Sequence, residues 1–141
     1  MKTILALRGA GNRGKSTSLS MLVDKIMAEY PIADLNERRY KIDVTMIITI
    51  NGVKVGIETQ GDPNSRLGAS LKRFVESKCK VIVCASRSYG GTVDLINVAA
   101  SSGYVVKWFD KAKVANPRNH GQANIEVVSE LFRAFQIAID A

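Results

Sequence analysis

Cysteine, histidine and proline are scarce in this chain of 141 residues, which contains two, one and three of them, respectively. Cys79, Cys84 and His120 together supply three side chains, one fewer than the four ligands of a structural Cys/His zinc site. Cys84 lies in the apolar segment VIVCA, which predicts a buried strand in which the thiol is a small core residue. A zinc site built from His and Cys ligands is therefore excluded.

Long hydrophobic runs are also lacking. No run of about 18 apolar residues occurs, so no transmembrane helix is predicted. The opening segment MKTILALRG has too short an apolar stretch for a secretory signal, and we expect a cytoplasmic protein. Apolar residues make up 46% of the chain and charged residues 23%, which is typical of a globular protein. The length predicts one domain over residues 1–141.

The basic residues form no dense tract, although the net charge is +7 and the isoelectric point about 9.6. This excess of positive charge favours anionic partners such as nucleotides, nucleic acid or acidic protein surfaces. Without a basic tract or an aromatic RNA-binding motif, a nucleic-acid partner has little support. A protein partner or another anionic ligand is left open.

Apolar periodicity predicts the element order β-α-β-β-α-β-α-β-α, which is typical of an α/β fold with a mainly parallel sheet. Asn51-Gly52 between two β-branched runs predicts a hairpin with a type I′ turn. The polar segment 31–40 is predicted to be a loop, and so is the segment 110–124. We expect five strands in the order 2-3-1-4-5, with one antiparallel edge strand contributed by the hairpin.

The segment GAGNRGKST, residues 9–17, fits the pattern G-x-x-x-x-G-K-[ST] and lies between a predicted strand and a predicted helix. Glycines let such a loop turn its amides toward an anion, and the helix N-terminus adds partial positive charge. Lys15 is predicted to reach the β- and γ-phosphates, and Ser16 to ligate Mg²⁺. The residues predicted to bind nucleotide here are Gly9, Ala10, Gly11, Asn12, Arg13, Gly14, Lys15, Ser16 and Thr17.

On these residues the chain resembles the P-loop NTPase superfamily, and the resemblance extends to the order of elements along the whole chain. It implies a three-layer α/β/α fold, a nucleoside triphosphate and Mg²⁺. It also implies a carboxylate at the end of another strand. Glu58 and Asp62 in IETQGD are the candidates, in a pattern similar to the D-x-x-G of small GTPases but with glutamate first.

By that resemblance Gly61 would contact the γ-phosphate, and Glu58 or Asp62 would serve the metal or the attacking water. Which of the two serves the metal is left open, and so is the alternative that both are ordinary acids of a polar loop. Arg87 follows the predicted strand KVIVCAS, where it would stabilise γ-phosphate charge, hold a second substrate or simply lie in a turn. Arg38 and Arg39 lie where a GTPase has its first switch loop, and they are predicted to be residues of a solvated loop, with an arginine finger in cis as the alternative.

The guanine-reading motif N-K-x-D is absent, which favours ATP over GTP. The segment 110–124, with Asn116, Pro117, Arg118 and His120, is where many P-loop kinases hold adenine. Three functions remain open: an Mg²⁺-dependent ATP hydrolase or switch that acts on a partner, a nucleotide or nucleoside kinase, and a nucleotide-binding module without catalysis. The hairpin, the E-x-x-G pattern and the short connections favour the first. The GKST segment and the long C-terminal loop suit a kinase, but the chain has no room for an arginine-rich lid of the usual size.

Overall fold

The computed structural model describes residues 1–9, 14–40, 43–61, 65–87, 90–110 and 120–141. Strands and helices follow one another in this order: β1 Lys2–Arg8, α1 Lys15–Glu29, β2 Asp34–Tyr40, β3 Asp43–Ile50, β4 Val53–Glu58, α2 Leu67–Glu76, β5 Val81–Ser86, α3 Gly91–Ala100, β6 Tyr104–Asp110 and α4 His120–Asp140. The fold is α/β, as predicted. Among the described helices, none combines the length and the apolar composition needed to cross a membrane.

The strands form one mixed sheet in the order β2-β3-β4-β5-β1-β6. The adjacent pairs β4–β5, β5–β1 and β1–β6 are parallel, whereas β3 is antiparallel to both β2 and β4. The predicted five strands and the order 2-3-1-4-5 are therefore wrong. β5 lies between β1 and β4, and the antiparallel strand lies inside the sheet because β2 covers its outer edge.

β2 is the strand that the sequence did not predict. Its sequence, DLNERRY, is mostly charged and polar, which is typical of a loop. The structure nevertheless pairs it with β3 along its whole length, from Asp34 opposite Thr49 to Tyr40 opposite Asp43. An edge strand exposes its side chains to water, so ladder hydrogen bonds can hold a polar sequence in this conformation.

The hairpin between β3 and β4 is confirmed. Asn51 and Gly52 both have positive φ, at 50° and 78°, as a type I′ turn requires, and Ile50 pairs with Val53 across it. The two-residue turn thus divides the apolar segment into the antiparallel strands β3 and β4. Because β3 runs against its neighbours, its first residue lies at the edge where β4 and the other parallel strands end.

Alternate side chains of β1 enter two different hydrophobic clusters. Leu5 and Leu7 pack with residues of α1 and α4, whereas Ile4 and Ala6 pack with residues of α2 and α3. This alternation follows from the two-residue period of a strand. Both clusters are buried, and they cover the two faces of β1 between β5 and β6.

Candidate nucleotide site at the start of α1

The first turn of α1 lies at the edge of the sheet where the parallel strands end. Gly14 precedes the helix in the left-handed region, with φ 76° and ψ 25°, a backbone conformation that glycine adopts without strain. The amide of Gly9, just after β1, donates to the carbonyl of Ser86 at the end of β5 over 3.1 Å. No acidic residue occupies the first turn of α1, so its own sequence leaves the positive end of the helix dipole uncompensated.

Lys15 connects the ends of two neighbouring strands. Its ammonium group donates to the carbonyl of Gly9 over 2.8 Å and to the carbonyl of Ser86 over 2.9 Å. The residue is only 7% exposed. A buried ammonium group is stable only when it is hydrogen-bonded in this way. The contacts hold a positive charge at the junction of β1, β5 and α1.

The hydroxyl of Ser16 contacts a carboxylate that the sequence prediction did not include. Ser16 Oγ donates to Asp43 Oδ1 over 2.9 Å, and the Thr59 hydroxyl donates to the same oxygen over 2.9 Å. Thr59 Oγ1 also accepts from the amide of Val44 over 2.9 Å. Ser16 Oγ lies 3.4 Å from the Thr59 carbonyl oxygen as well. Asp43 is thereby held against the first turn of α1.

Glu58 is engaged elsewhere. Its fully buried carboxylate accepts two hydrogen bonds from Arg66, from Nη2 over 2.9 Å and from Nε over 3.2 Å. Ser70 Oγ donates over 2.7 Å and the amide of Gln60 over 3.0 Å. Arg66 directly precedes α2 and Ser70 lies in its first turn, so the structure does not direct Glu58 toward Ser16. A role of Glu58 in chemistry stays a prediction, whereas its contacts show that it anchors α2.

Three further residues of the predicted site lie in the described part of the chain: Gly61, Arg87 and Thr17. Gly61 is buried, and a Cβ atom there would lie 2.4 Å from the backbone of Ala85, so glycine is needed for close packing against β5. Arg87 is half-buried directly after β5, and its amide donates to Thr92 Oγ1 over 3.0 Å. Thr17 is exposed in the first turn of α1.

Several predicted positions lie outside the described residues: Ala10, Gly11, Asn12, Arg13 and Asp62 of the nucleotide site, and Asn116, Pro117 and Arg118 of the adenine segment. His120 begins α4, so the end of the predicted loop 110–124 is helical instead. Arg38 and Arg39, predicted on a loop, lie on β2, and Arg39 pairs with Glu37 of the same strand.

An ion pair joins the ends of β1 and β6 next to this site. Arg8 Nε at the end of β1 lies 2.8 Å from Asp110 Oδ1 at the end of β6, and the guanidinium lies 4.9 Å from the centre of the Trp108 ring. The hydrogen bond from Arg8 lowers the pKa of the Asp110 carboxyl. The pair lies where β6 ends and the segment predicted to hold adenine begins.

The thiols are excluded as nucleophiles. Burial raises the pKa of Cys79 to about 11, and burial together with the nearby charge of Glu58 raises that of Cys84 to about 12. Both are therefore neutral at physiological pH. No group of three or more His, Cys, Asp or Glu side chains that could hold a metal occurs within the part of the chain that the structure describes.

Mg²⁺ does not need such a group, because it commonly takes one or two protein oxygens and completes its shell with phosphate and water. The Ser16 hydroxyl and the Asp43 carboxylate are hard oxygen donors that lie within hydrogen-bond distance of each other. Their chemistry fits this ion. Lys15, Ser16, Asp43 and Thr59 together form the candidate site.

Asp43 had a signal in the sequence that is clear in retrospect. It opens the strand of a hairpin whose turn is Asn51-Gly52, and the antiparallel pairing returns Thr59 to its side. A residue at the start of an antiparallel strand lies at the same edge of the sheet as the ends of the parallel strands, so candidates taken only from strand ends do not include it.

Comparison of the chain with protein-family models, with curated proteins and with solved structures gave no match.

Proposed function

We propose that this protein binds ATP and Mg²⁺ at the start of α1 and hydrolyses the nucleotide, and that it is a member of the P-loop NTPase superfamily with its three-layer α/β/α arrangement. The observation that carries the proposal is the contact between Ser16 and Asp43, directly after a loop that fits G-x-x-x-x-G-K-[ST]. A chance glycine-rich turn gives no reason for a carboxylate to lie against that hydroxyl.

In this proposal bound Mg²⁺ would supply positive charge that stabilises phosphoryl transfer. Ser16 and Asp43 are the residues that would hold it. Lys15 orients the phosphates and balances their charge. The amides at the start of α1 bind the phosphates, because the helix dipole favours negative charge there.

Arg87 lies beyond the end of β5, at the same edge as Lys15 and Ser16. An arginine at this edge would stabilise the charge of the transferred group. Asp62 and Gly61 follow β4 and keep their proposed roles in orienting water and contacting the γ-phosphate.

Phosphoryl transfer to a small acceptor is the second candidate function. The observation that favours it is a cavity lined by three arginines beside α2, described in the next section. Hydrolysis predicts release of ADP without any acceptor, whereas a kinase releases ADP only when its acceptor is present. A nucleotide-binding module would bind ATP and release no ADP under either condition.

Replacing Lys15 with methionine is expected to weaken ATP binding about 10- to 150-fold, the loss of one hydrogen-bonded charge. Methionine keeps most of the aliphatic stem and removes the ammonium group. Calorimetric titration of ATP with Mg²⁺ measures the change, and GTP titrated in the same way should bind more weakly than ATP.

Lys25→Met is the matched control, because Lys25 is an exposed residue of the same helix. The Lys15 variant loses two hydrogen bonds to buried carbonyls, so circular dichroism must first establish that it is folded at the temperature of the titration. Unchanged ATP affinity in folded Lys15→Met protein would refute the nucleotide site.

A further inference from the structure

A cavity of about 400 Å³ lies between β2 and α2. Cavities of this size hold small molecules. Six of its seven lining residues are polar or charged, and three of these are arginines. The lining residues are Asn36, Arg38, Thr45, Arg66, Ala69, Ser70 and Arg73.

The three guanidinium groups differ in their pairing. Arg66 is bonded through two nitrogens to the buried carboxylate of Glu58, so its charge is balanced. For Arg38 and Arg73, no carboxylate oxygen lies within 4.0 Å among residues that the structure describes. The cavity therefore carries close to two units of positive charge.

One wall of the cavity is held by hydrogen bonds before any ligand binds. Ser70 Oγ donates to Glu58, and Thr45 Oγ1 lies 3.4 Å from Ser70 Oγ. Thr45 and Ser70 are both buried. Arg66 is held by its two hydrogen bonds to Glu58, so its planar guanidinium does not have to be ordered on binding. Pre-organisation of this kind reduces the entropy that binding costs.

Arg38 belongs to the cavity because of the two-residue period of β2. Asn36 and Arg38 lie on the face of the strand that lines the cavity. Arg39 and Glu37 project to the other face and pair with each other. Two neighbouring arginines of one strand thus differ in whether they line the cavity, which provides a matched control.

We propose that this cavity binds a small molecule that carries a phosphate monoester. A phosphate monoester carries about −1.5 to −2 charges at pH 7, which matches the charge of Arg38 and Arg73. Its three oxygens suit the fork-shaped donors of guanidinium groups and the hydroxyl of Thr45. The inference does not rest on the nucleotide site. If the bound phosphate monoester also accepted a phosphoryl group from ATP, the protein would be a kinase.

The test is calorimetric titration of AMP and of ribose 5-phosphate into the full chain and its variants. The double variant Arg38→Ala/Arg73→Ala should bind both probes at least about 10- to 100-fold more weakly, because it loses two charge-assisted contacts. Arg39→Ala should stay within about twofold of the parent. Adenosine, which lacks the phosphate, should bind much more weakly than AMP.

Four results would overturn the proposal. The first is a double variant that binds the probes like the parent, and the second is a parent that binds neither probe. If Lys15→Met removes AMP binding and the double variant does not, the ligand belongs at the start of α1, and the nucleotide site stands without the cavity. If a single-stranded oligonucleotide depends on Arg38 and Arg73 while both probes do not, the surface recognises nucleic acid instead.

Discussion

Asp43→Asn should lower Mg²⁺-dependent ATP turnover at least about 10- to 100-fold, a loss typical of removing a group that positions a metal or its ligands. Asparagine keeps an oxygen that accepts from Ser16 and Thr59 and removes only the negative charge. The apparent affinity for Mg²⁺ should fall together with the rate. Initial rates of phosphate release, measured over a range of Mg²⁺ concentrations, give both quantities.

Asp24→Asn is the control, because Asp24 is an exposed residue of α1. The same assay applied to Asp62→Asn tests the expectation that Asp62 orients the attacking water. Parent-like turnover and Mg²⁺ dependence in Asp43→Asn, combined with a slow Glu58→Gln variant of parent stability, would assign the metal to Glu58 instead.

Glu58→Gln should lower the free energy of unfolding by about 3 kcal/mol. The carboxylate is fully buried and accepts hydrogen bonds from Arg66, Ser70 and the Gln60 amide. An amide nitrogen placed there would face donors, and Arg66 would lose its charge partner. Removing one member of a buried ion pair costs about 3–5 kcal/mol, and the partial exposure of Arg66 places this change at the lower end.

Denaturant unfolding followed by circular dichroism measures the loss. Glu76→Gln is the control on the same helix, because Glu76 is exposed at the end of α2, and its effect should stay within about 0.5 kcal/mol. An unfolding midpoint for Glu58→Gln equal to that of the parent would contradict the anchoring role of Glu58. It would also restore that carboxylate as a candidate for the chemistry.

Local sequence signals predicted the local structure well. Asn51-Gly52 specifies the hairpin because few residues tolerate two consecutive positive φ angles, and the structure confirms it. Pro31 follows the end of α1 as expected, since proline cannot continue a helix. These features depend on neighbours along the chain.

Strand order and the site carboxylate depend on contacts that are distant in sequence. The buried strand β5 is apolar on both faces, and nothing in that pattern tells which strand it will pair with. The charged strand β2 forms because β3 offers it a ladder, not because its residues favour extended structure. Asp43 approaches Ser16 for the same reason, because chain reversal at the hairpin brings the start of β3 to the end of β4.

The position of the metal tests the central claim most directly. A crystal structure of the protein with a non-hydrolysable ATP analogue and Mn²⁺, which gives an anomalous signal, would locate both the ion and the phosphates. We expect the ion about 2.1 Å from Ser16 Oγ, with Asp43 as a ligand or one water away, and the β-phosphate on the amides at the start of α1. A nucleotide bound elsewhere, or an ion distant from both Ser16 and Asp43, would contradict the proposed function.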